Sequence, residues 1–202
     1  MLAAGKSERM GTNKLLLTLC GETVLERVLK ALQPPAVDQL LVVVGHRPDD
    51  VRKTILAYGA SVVTNTDYEK GMTSSFVVGL RAVRADAVFA VLGDQVGLTA
   101  DLVWAMRNSL SEHPNASHVS PIHQGRRGHP VLFNSKLLTE ILSLQEGETL
   151  RDVVLRHQDE ELKVEGSELC LLDLDYPEDF QVAKKLFESR CSASPRSVPR
   201  LC

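Results

Sequence analysis

The chain has 202 residues, 44% of them hydrophobic, enough to bury one substantial core. A formal net charge of −3 and 4% aromatic content argue against a nucleic-acid reader built on basic patches or stacking platforms. No apolar run has the length of a membrane span and no signal-peptide pattern is present, so no membrane association is expected.

The stretch "LAAGKSERMGTNK", residues 2–14, comes first. Gly5 and Gly11 allow a tight turn whose N–H groups can face an anion, Ser7 and Thr12 add hydroxyls, and Arg9 and Lys14 add charge. Composition alone leaves a phosphate loop and an ordinary glycine turn equally open, and the Walker spacing is absent. Such loops follow a buried strand, yet only Met1 to Ala4 are available to form one, so the first strand is expected to be truncated by a late start.

Strand and helix signals then alternate. "ETVLERVLKAL" places Val24, Leu25, Val28, Leu29 and Leu32 on one helical face before Pro34-Pro35 ends it. "QLLVVVG" is a continuous β-branched run of the kind found in parallel sheets, and "PDDVRKTILAYG" has the proline-and-acid start and glycine end of a helix. "ASVVTN" predicts a strand, "TSSFVVGLRAVR" a helix, "AVFAVLGDQ" a strand and "TADLVWAMRNSL" a helix. Beyond Pro121 come the loop "IHQGRRGHP", the short strand "VLF" and the helices "SKLLTEILSL" and "TLRDVVLRH". A further strand, "LCLLDLD", and the helix "YPEDFQVAKKLFESR" complete a domain over residues 1–190. "CSASPRSVPRLC", residues 191–202, has no period and reads as a disordered tail. The four cysteines, Cys20, Cys170, Cys191 and Cys202, form no CxxC pair and read as reduced thiols of a cytoplasmic protein. The alternation predicts an α/β fold with a mostly parallel sheet and helices on both faces, its ligand at the carboxyl ends of the strands.

Several side chains are placed for chemistry. Asp94 should emerge at the carboxyl end of a central strand, where one carboxylate plus phosphate oxygens suits a hard cation. Asp173 and Asp175, separated by one residue, share a face if their segment is a strand, although acids also gather ahead of helices for their own sake. "TSSF" reads on its residues first as a plain helix cap, and alternatively as a set of donors to a ligand. His129 is open between a structural and a functional role, as are Arg126 and Arg127.

Five stretches in order, "LAAGKSERMGTNK", "VVTN…GMTSSFVVGL", "VLGDQ", "GRRGHPVLF" and "LDLDYPED", resemble the motifs of the molybdenum cofactor cytidylyltransferases, a branch of the Rossmann-like nucleotidyltransferases. The likeness runs from Leu2 to about Phe187. It implies a three-layer α/β/α domain that transfers CMP from CTP to a molybdopterin-type cofactor, releases pyrophosphate and uses Mg²⁺, with Mn²⁺ as an alternative. It implies that Leu2, Ala3, Ala4, Gly5, Ser7, Gly11 and Lys14 hold the phosphates, and that Thr64, Asn65, Gly71, Ser74 and Ser75 hold base and ribose. Arg9, Lys14 and Asp94 take catalytic roles, Asp94 and Asp175 bind metal, and Arg127 and His129 face the pterin. Asp175 matches the closing motif better than Asp173 does. Ala4 stands where GTP-using relatives tend to carry glycine, which points to CTP. A molybdenum hydroxylase is the implied recipient of the product. The pattern departs from the family at Val96, where proline is usual, and at Tyr176, where threonine is common. Transfer to a sugar or polyol phosphate, guanylyl transfer from GTP, and a non-catalytic carrier of the cofactor are the other expectations considered.

Overall fold

A computed structural model describes the backbone of residues 1–193 and side chains through residue 188. Its first strand, β1 (Leu2–Ala3), has only two residues but is bonded on both sides. On one side it runs parallel to β4 (Leu41–Val44), which pairs in turn with β5 (Ser61–Thr64). On the other it meets the chain just past β6 (Ala87–Ala90) through the parallel bridge Leu2–Leu92. From β6 the sheet continues through β9 (Val131–Asn134) and β7 (His118–His123) to β10 (Glu161–Glu165). The pairs β6–β9 and β9–β7 are antiparallel, and β7–β10 is parallel. Two short additions complete the strands, a β2–β3 hairpin (Thr18–Leu19, Glu22–Thr23) and β8 (Arg126–Arg127), which pairs with β7.

Helices cover both faces, as the alternation predicts. One layer holds α1 (Val24–Ala31), α2 (Asp49–Ala57), α4 (Ala100–Glu112) and α7 (Pro177–Ala193), which share a core with Leu19, Val42 and Val44. The other holds α3 (Met72–Arg81), α5 (Ser135–Leu142) and α6 (Leu150–Arg156), packed around Phe133. Local chemistry sets the boundaries. Thr23 and Glu26 form a reciprocal capping box at the start of α1, Thr149 and Asp152 do the same for α6, and Thr99 caps α4. No helix among the described residues is long and apolar enough to cross a membrane.

The structure corrects four local expectations. "LCLLDLD" is not a strand: Glu168–Leu171 form a 3-10 turn and residues 172–176 run on irregularly. The place beside β7 is taken instead by β10, whose two apolar residues, Leu162 and Val164, gave too weak a pattern to be read. β7 escaped because Pro121 interrupts it, and proline inside a strand argues against the assignment. The last helix runs through Ala193, past the Cys191 at which a tail was expected, and the remainder of that tail lies outside the described residues. Cys20 is disulfide-bonded rather than reduced, whereas Cys170 is free and buried.

Between β9 and β10, on the strand β7, lies a fully buried histidine. His118 on β7 has its Nδ1 2.9 Å from Ser117 Oγ and its Nε2 3.6 Å from Glu161, and its ring lies against Phe133. Burial pushes its pKa below the usual 6.5, with Arg127 and His157 adding to the effect and Glu161 opposing it. The unfolded chain therefore takes up a proton near pH 6.5 that the folded chain refuses, so folding stability falls as pH drops below that value. Urea denaturation at pH 5, 6, 7 and 8 should show a loss on acidification that is smaller in His118→Gln. Parallel curves for the two proteins would show that another group sets the slope.

Candidate active site

The opening loop leaves β1 at Ala4 and turns twice. Ser7 adopts φ 55° and Gly11 φ 67°, the left-handed conformation that glycine takes without strain, and each borders the short 3-10 turn Glu8–Met10. Lys14 begins a second 3-10 turn, Lys14–Leu16. Its backbone N–H donates to Ser7 Oγ at 3.3 Å, which closes the loop on itself. Gly5 is exposed, and a Cβ built on it would meet no protein atom within 4 Å, so the space above it is open. Ala4 is buried, with its Cβ directed toward Gly45 of the chain following β4. Lys6 ties the loop sideways, bonding Glu69 at 2.6 Å and lying over the Tyr68 ring.

Three segments distant in sequence meet at the tip of this loop. The Lys14 ammonium lies 2.5 Å from Asp94 Oδ2 and 3.3 Å from Asp175 Oδ1, and Arg9 Nη1 lies 3.4 Å from Asp175 Oδ2. Asp94 sits in a turn four residues beyond β6, and only 8% of it is exposed. Burial pulls the Lys14 pKa down, but the two carboxylates outweigh it and hold the ammonium above its ordinary value. Asp173 belongs to the same group. Partial burial, reinforced by Asp94 and Asp175, pushes its carboxyl up, while His129 and Lys14 oppose. Among the described residues no three His, Cys, Asp or Glu side chains form a metal cage. Asp94 and Asp175 nevertheless converge on one lysine ammonium, the donor set from which a Mg²⁺-like ion takes one or two carboxylates and completes its shell with water and phosphate.

Other expected residues are placed less directly. Thr64 is exposed at the end of β5. Asn65 is buried, and its Nδ2 donates to both Ser74 Oγ and Ser75 Oγ at 3.0 Å, while Ser74 Oγ donates onward to the Gly71 carbonyl at 2.8 Å. These polar groups clamp the loop after β5 onto the start of α3, so their first role is to build the wall. Arg127 binds Glu161 through two guanidinium nitrogens, Nε at 2.7 Å and Nη2 at 2.6 Å, and is engaged within the fold. His129 follows the turn beside it. Its backbone N–H donates to the Cys170 carbonyl at 2.9 Å, and its buried Nδ1 has no hydrogen-bond partner. Gln95, next to Asp94, likewise buries both amide atoms unpartnered.

Sequence reasoning missed three contributors. Asp179 accepts the N–H groups of Asp175 and Tyr176 at 3.0 and 2.8 Å and so orients the closing motif at the start of α7. Its signal was the acid-rich first turn of that helix, read there as a cap alone. Tyr176, where the family pattern has threonine, lies under the Arg9 guanidinium at 5.5 Å, a cation–π distance. Gln95 carried no signal beyond its place after Asp94.

Known proteins resemble the chain in sequence and in fold. Residues 1–161 match the family model described as the MobA-like NTP transferase domain. The chain is 28% identical over 190 residues to the molybdenum cofactor cytidylyltransferase of Escherichia coli K12, covering 92% of this chain and 94% of that protein. The crystal structure of Rv0371c from Mycobacterium tuberculosis H37Rv superposes with a TM-score of 0.76 at 28% identity, covering 91% of this chain and 95% of the other. A complex of the same protein with manganese superposes at 0.72, also at 28% identity, covering 93% and 96%.

Gly128 decides how the "GRRGHP" loop meets the closing segment. A Cβ there would fall 2.3 Å from the Cys170 carbonyl oxygen, a backbone atom that cannot yield without moving the turn. Gly128→Ala should cost about 1–3 kcal/mol by overpacking, read as a lower urea midpoint. An unchanged midpoint would mean that the 168–171 turn shifts freely.

Proposed function

The chain belongs to the MobA-like NTP transferase domain family of nucleotidyltransferases, and we propose that it transfers CMP from CTP to the terminal phosphate of a molybdopterin-type molybdenum cofactor. The observation that carries this reading is the meeting of Lys14 and Arg9 from one loop with Asp94 and Asp175 from two others. That charge pattern serves a nucleotide's phosphates and a cation together. The likeness to the Escherichia coli protein supports the cytidylyl donor and the pterin acceptor.

In this reading the triphosphate lies over Gly5, between Ser7 and Gly11, where the space is open. Lys14 and Arg9 turn from their carboxylates to the phosphate oxygens. An oxygen of the acceptor phosphate attacks the α-phosphorus of CTP while the bond to the β-phosphate oxygen breaks, and pyrophosphate leaves with that electron pair. Lys14 and Arg9 stabilise the charge that grows on the leaving group. The acceptor is already an anion at neutral pH, so neither a general base nor a covalent enzyme intermediate is required, and positioning does most of the work. Asp94 and Asp175 would hold a divalent cation, Mg²⁺ or Mn²⁺, which when bound would supply charge neutralisation for the phosphates; the manganese complex of the Rv0371c protein is in keeping with this. The product then passes to a molybdenum hydroxylase, in the cytoplasm.

Two measurements test this. Asp94→Asn should lower turnover by about 10²–10³-fold, the size expected for loss of one preorganised electrostatic group, with the circular dichroism spectrum retained. A wild-type rate would remove Asp94 from the chemistry. Thermal shifts with CTP, GTP, ATP and UTP at saturating Mg²⁺ should be largest for CTP, since a ligand at about a hundred times its Kd stabilises by about 2.7 kcal/mol. An equal or larger shift with GTP would overturn the choice of base.

A further inference from the structure

The lysine that follows Gly5 is held by two carboxylates. Its ammonium lies 2.6 Å from Glu69 Oε1 and 3.5 Å from Glu8 Oε1. Glu8 belongs to the opening loop itself, whereas Glu69 stands on the 3-10 turn Tyr68–Lys70, just ahead of Gly71 and α3. The Lys6 side chain therefore spans from the loop to the wall that Asn65 fastens onto Ser74 and Ser75. It does so beside Gly5, above which the space is open.

The turn that carries Glu69 is fixed from below. A Cβ built on Gly45 would fall 2.7 Å from both Cβ and Cγ of Tyr68 and 2.9 Å from Ala4 Cβ. Tyr68 thus sits directly on the backbone after β4, beside the end of β1. Lys70 pairs with Asp67 at 3.0 Å, which leaves Lys6 as the cation bonded to Glu69. That bond holds the Glu69 carboxyl below its ordinary range and the Lys6 ammonium above its own, so both are charged at neutral pH.

The two lysines of the loop are held with different firmness. The side chains of Lys14 and Asp94 are 18% and 11% exposed, those of Lys6 and Glu69 34% and 67%. An ion pair so open to water contributes little, whereas Lys14 cannot leave Asp94 without stranding a nearly buried carboxylate. A polyphosphate lying over Gly5 brings several negative charges to the Lys6 ammonium, against one from each glutamate.

We propose that Lys6 is a further phosphate-binding cation of the loop and that Glu69 is its counter-ion in the free protein, displaced when the phosphate chain of a nucleotide binds. This rests on the nucleotide-binding reading given above. The two residues then act with opposite sign, since Lys6 favours the ligand and Glu69 competes with it. A plain latch between loop and wall would give them the same sign, because breaking it from either end loosens the loop equally.

Calorimetric titration of the 202-residue protein with CTP and Mg²⁺ separates the two. Lys6→Met keeps the apolar stem over the Tyr68 ring, removes the charge, and should weaken binding about tenfold. Glu69→Gln should tighten binding about threefold, the size of an exposed ion pair, a gain that damage to the fold cannot produce. The double variant should bind as Lys6→Met alone does, since the competitor matters only while the lysine is present. The same order is expected with inorganic tripolyphosphate, which carries no base. Weaker or unchanged binding in Glu69→Gln, or an unchanged Kd in Lys6→Met, would overturn the proposal while the nucleotide reading stands. Tripolyphosphate binding without CTP binding would overturn the proposed reaction instead, with the exchange at Lys6 still decided by the variants on tripolyphosphate. A protein that binds neither would overturn both.

Discussion

Everything the opening loop does depends on a strand of two residues being held from both sides. Leu2 and Ala3 contribute little packing area, yet their neighbours fix them in direction and height: Val43 and Leu41 through Met1, and Val91 and Gly93 through Leu2. A loop hung from such a strand cannot tilt without breaking bonds to β4 and to the chain after β6 together. That constraint sets Lys14 opposite Asp94, because Asp94 follows Gly93 directly. The strand that aims the loop and the turn that carries the carboxylate share one hydrogen bond.

The charges gathered there are unbalanced in a way that bears on binding. Three carboxylates, Asp94, Asp173 and Asp175, face the cations Lys14 and Arg9. Partial burial, with the other two carboxylates beside it, pushes the Asp173 carboxyl up. Under the proposed reaction a triphosphate adds several more negative charges, and Lys14 cannot serve both it and Asp94. A cation held by Asp94 and Asp175 would resolve the competition, leaving Lys14 to the phosphates and neither carboxylate uncompensated in a half-buried site. The ion pair between Lys14 and Asp94 thus holds the two arms of the site in register until a ligand separates them.

The sequence made the architecture legible where one pattern dominated a segment. The helical faces of α1 and α2 and the β-branched runs of β4 and β5 needed no tertiary information. Legibility failed where burial on one face was weak or a residue broke the rule. Glu161–Glu165 pairs along its whole length with β7, but its Glu-Leu-Lys-Val-Glu pattern looks like a solvated turn. Pro121 hid a strand that carries a fully buried histidine. For the site, the motifs shared with the nucleotidyltransferases marked Arg9, Lys14, Asp94 and Asp175, where residue type alone left the loop and the choice between Asp173 and Asp175 open, and the structure brings all four together. They could not show Asp179 holding the backbone of Asp175, because that depends on how a helix begins rather than on which residues it contains.

Arg127, which the resemblance implies faces the pterin, is instead engaged within the fold. Its guanidinium is committed to Glu161, a side chain with no exposed surface, beside the buried His118. Releasing it to a ligand would take from that buried carboxylate its bidentate partner and leave Lys163, at 3.8 Å, as the nearest remaining cation. Arg126 is differently placed. Successive residues of a strand point to opposite faces, so on β8 the side chain of Arg126 is directed away from Glu161, and the residue is exposed. The two adjacent arginines therefore differ: Arg127 fastens β8 and β7 to β10, while Arg126 stays exposed and outside that ion pair.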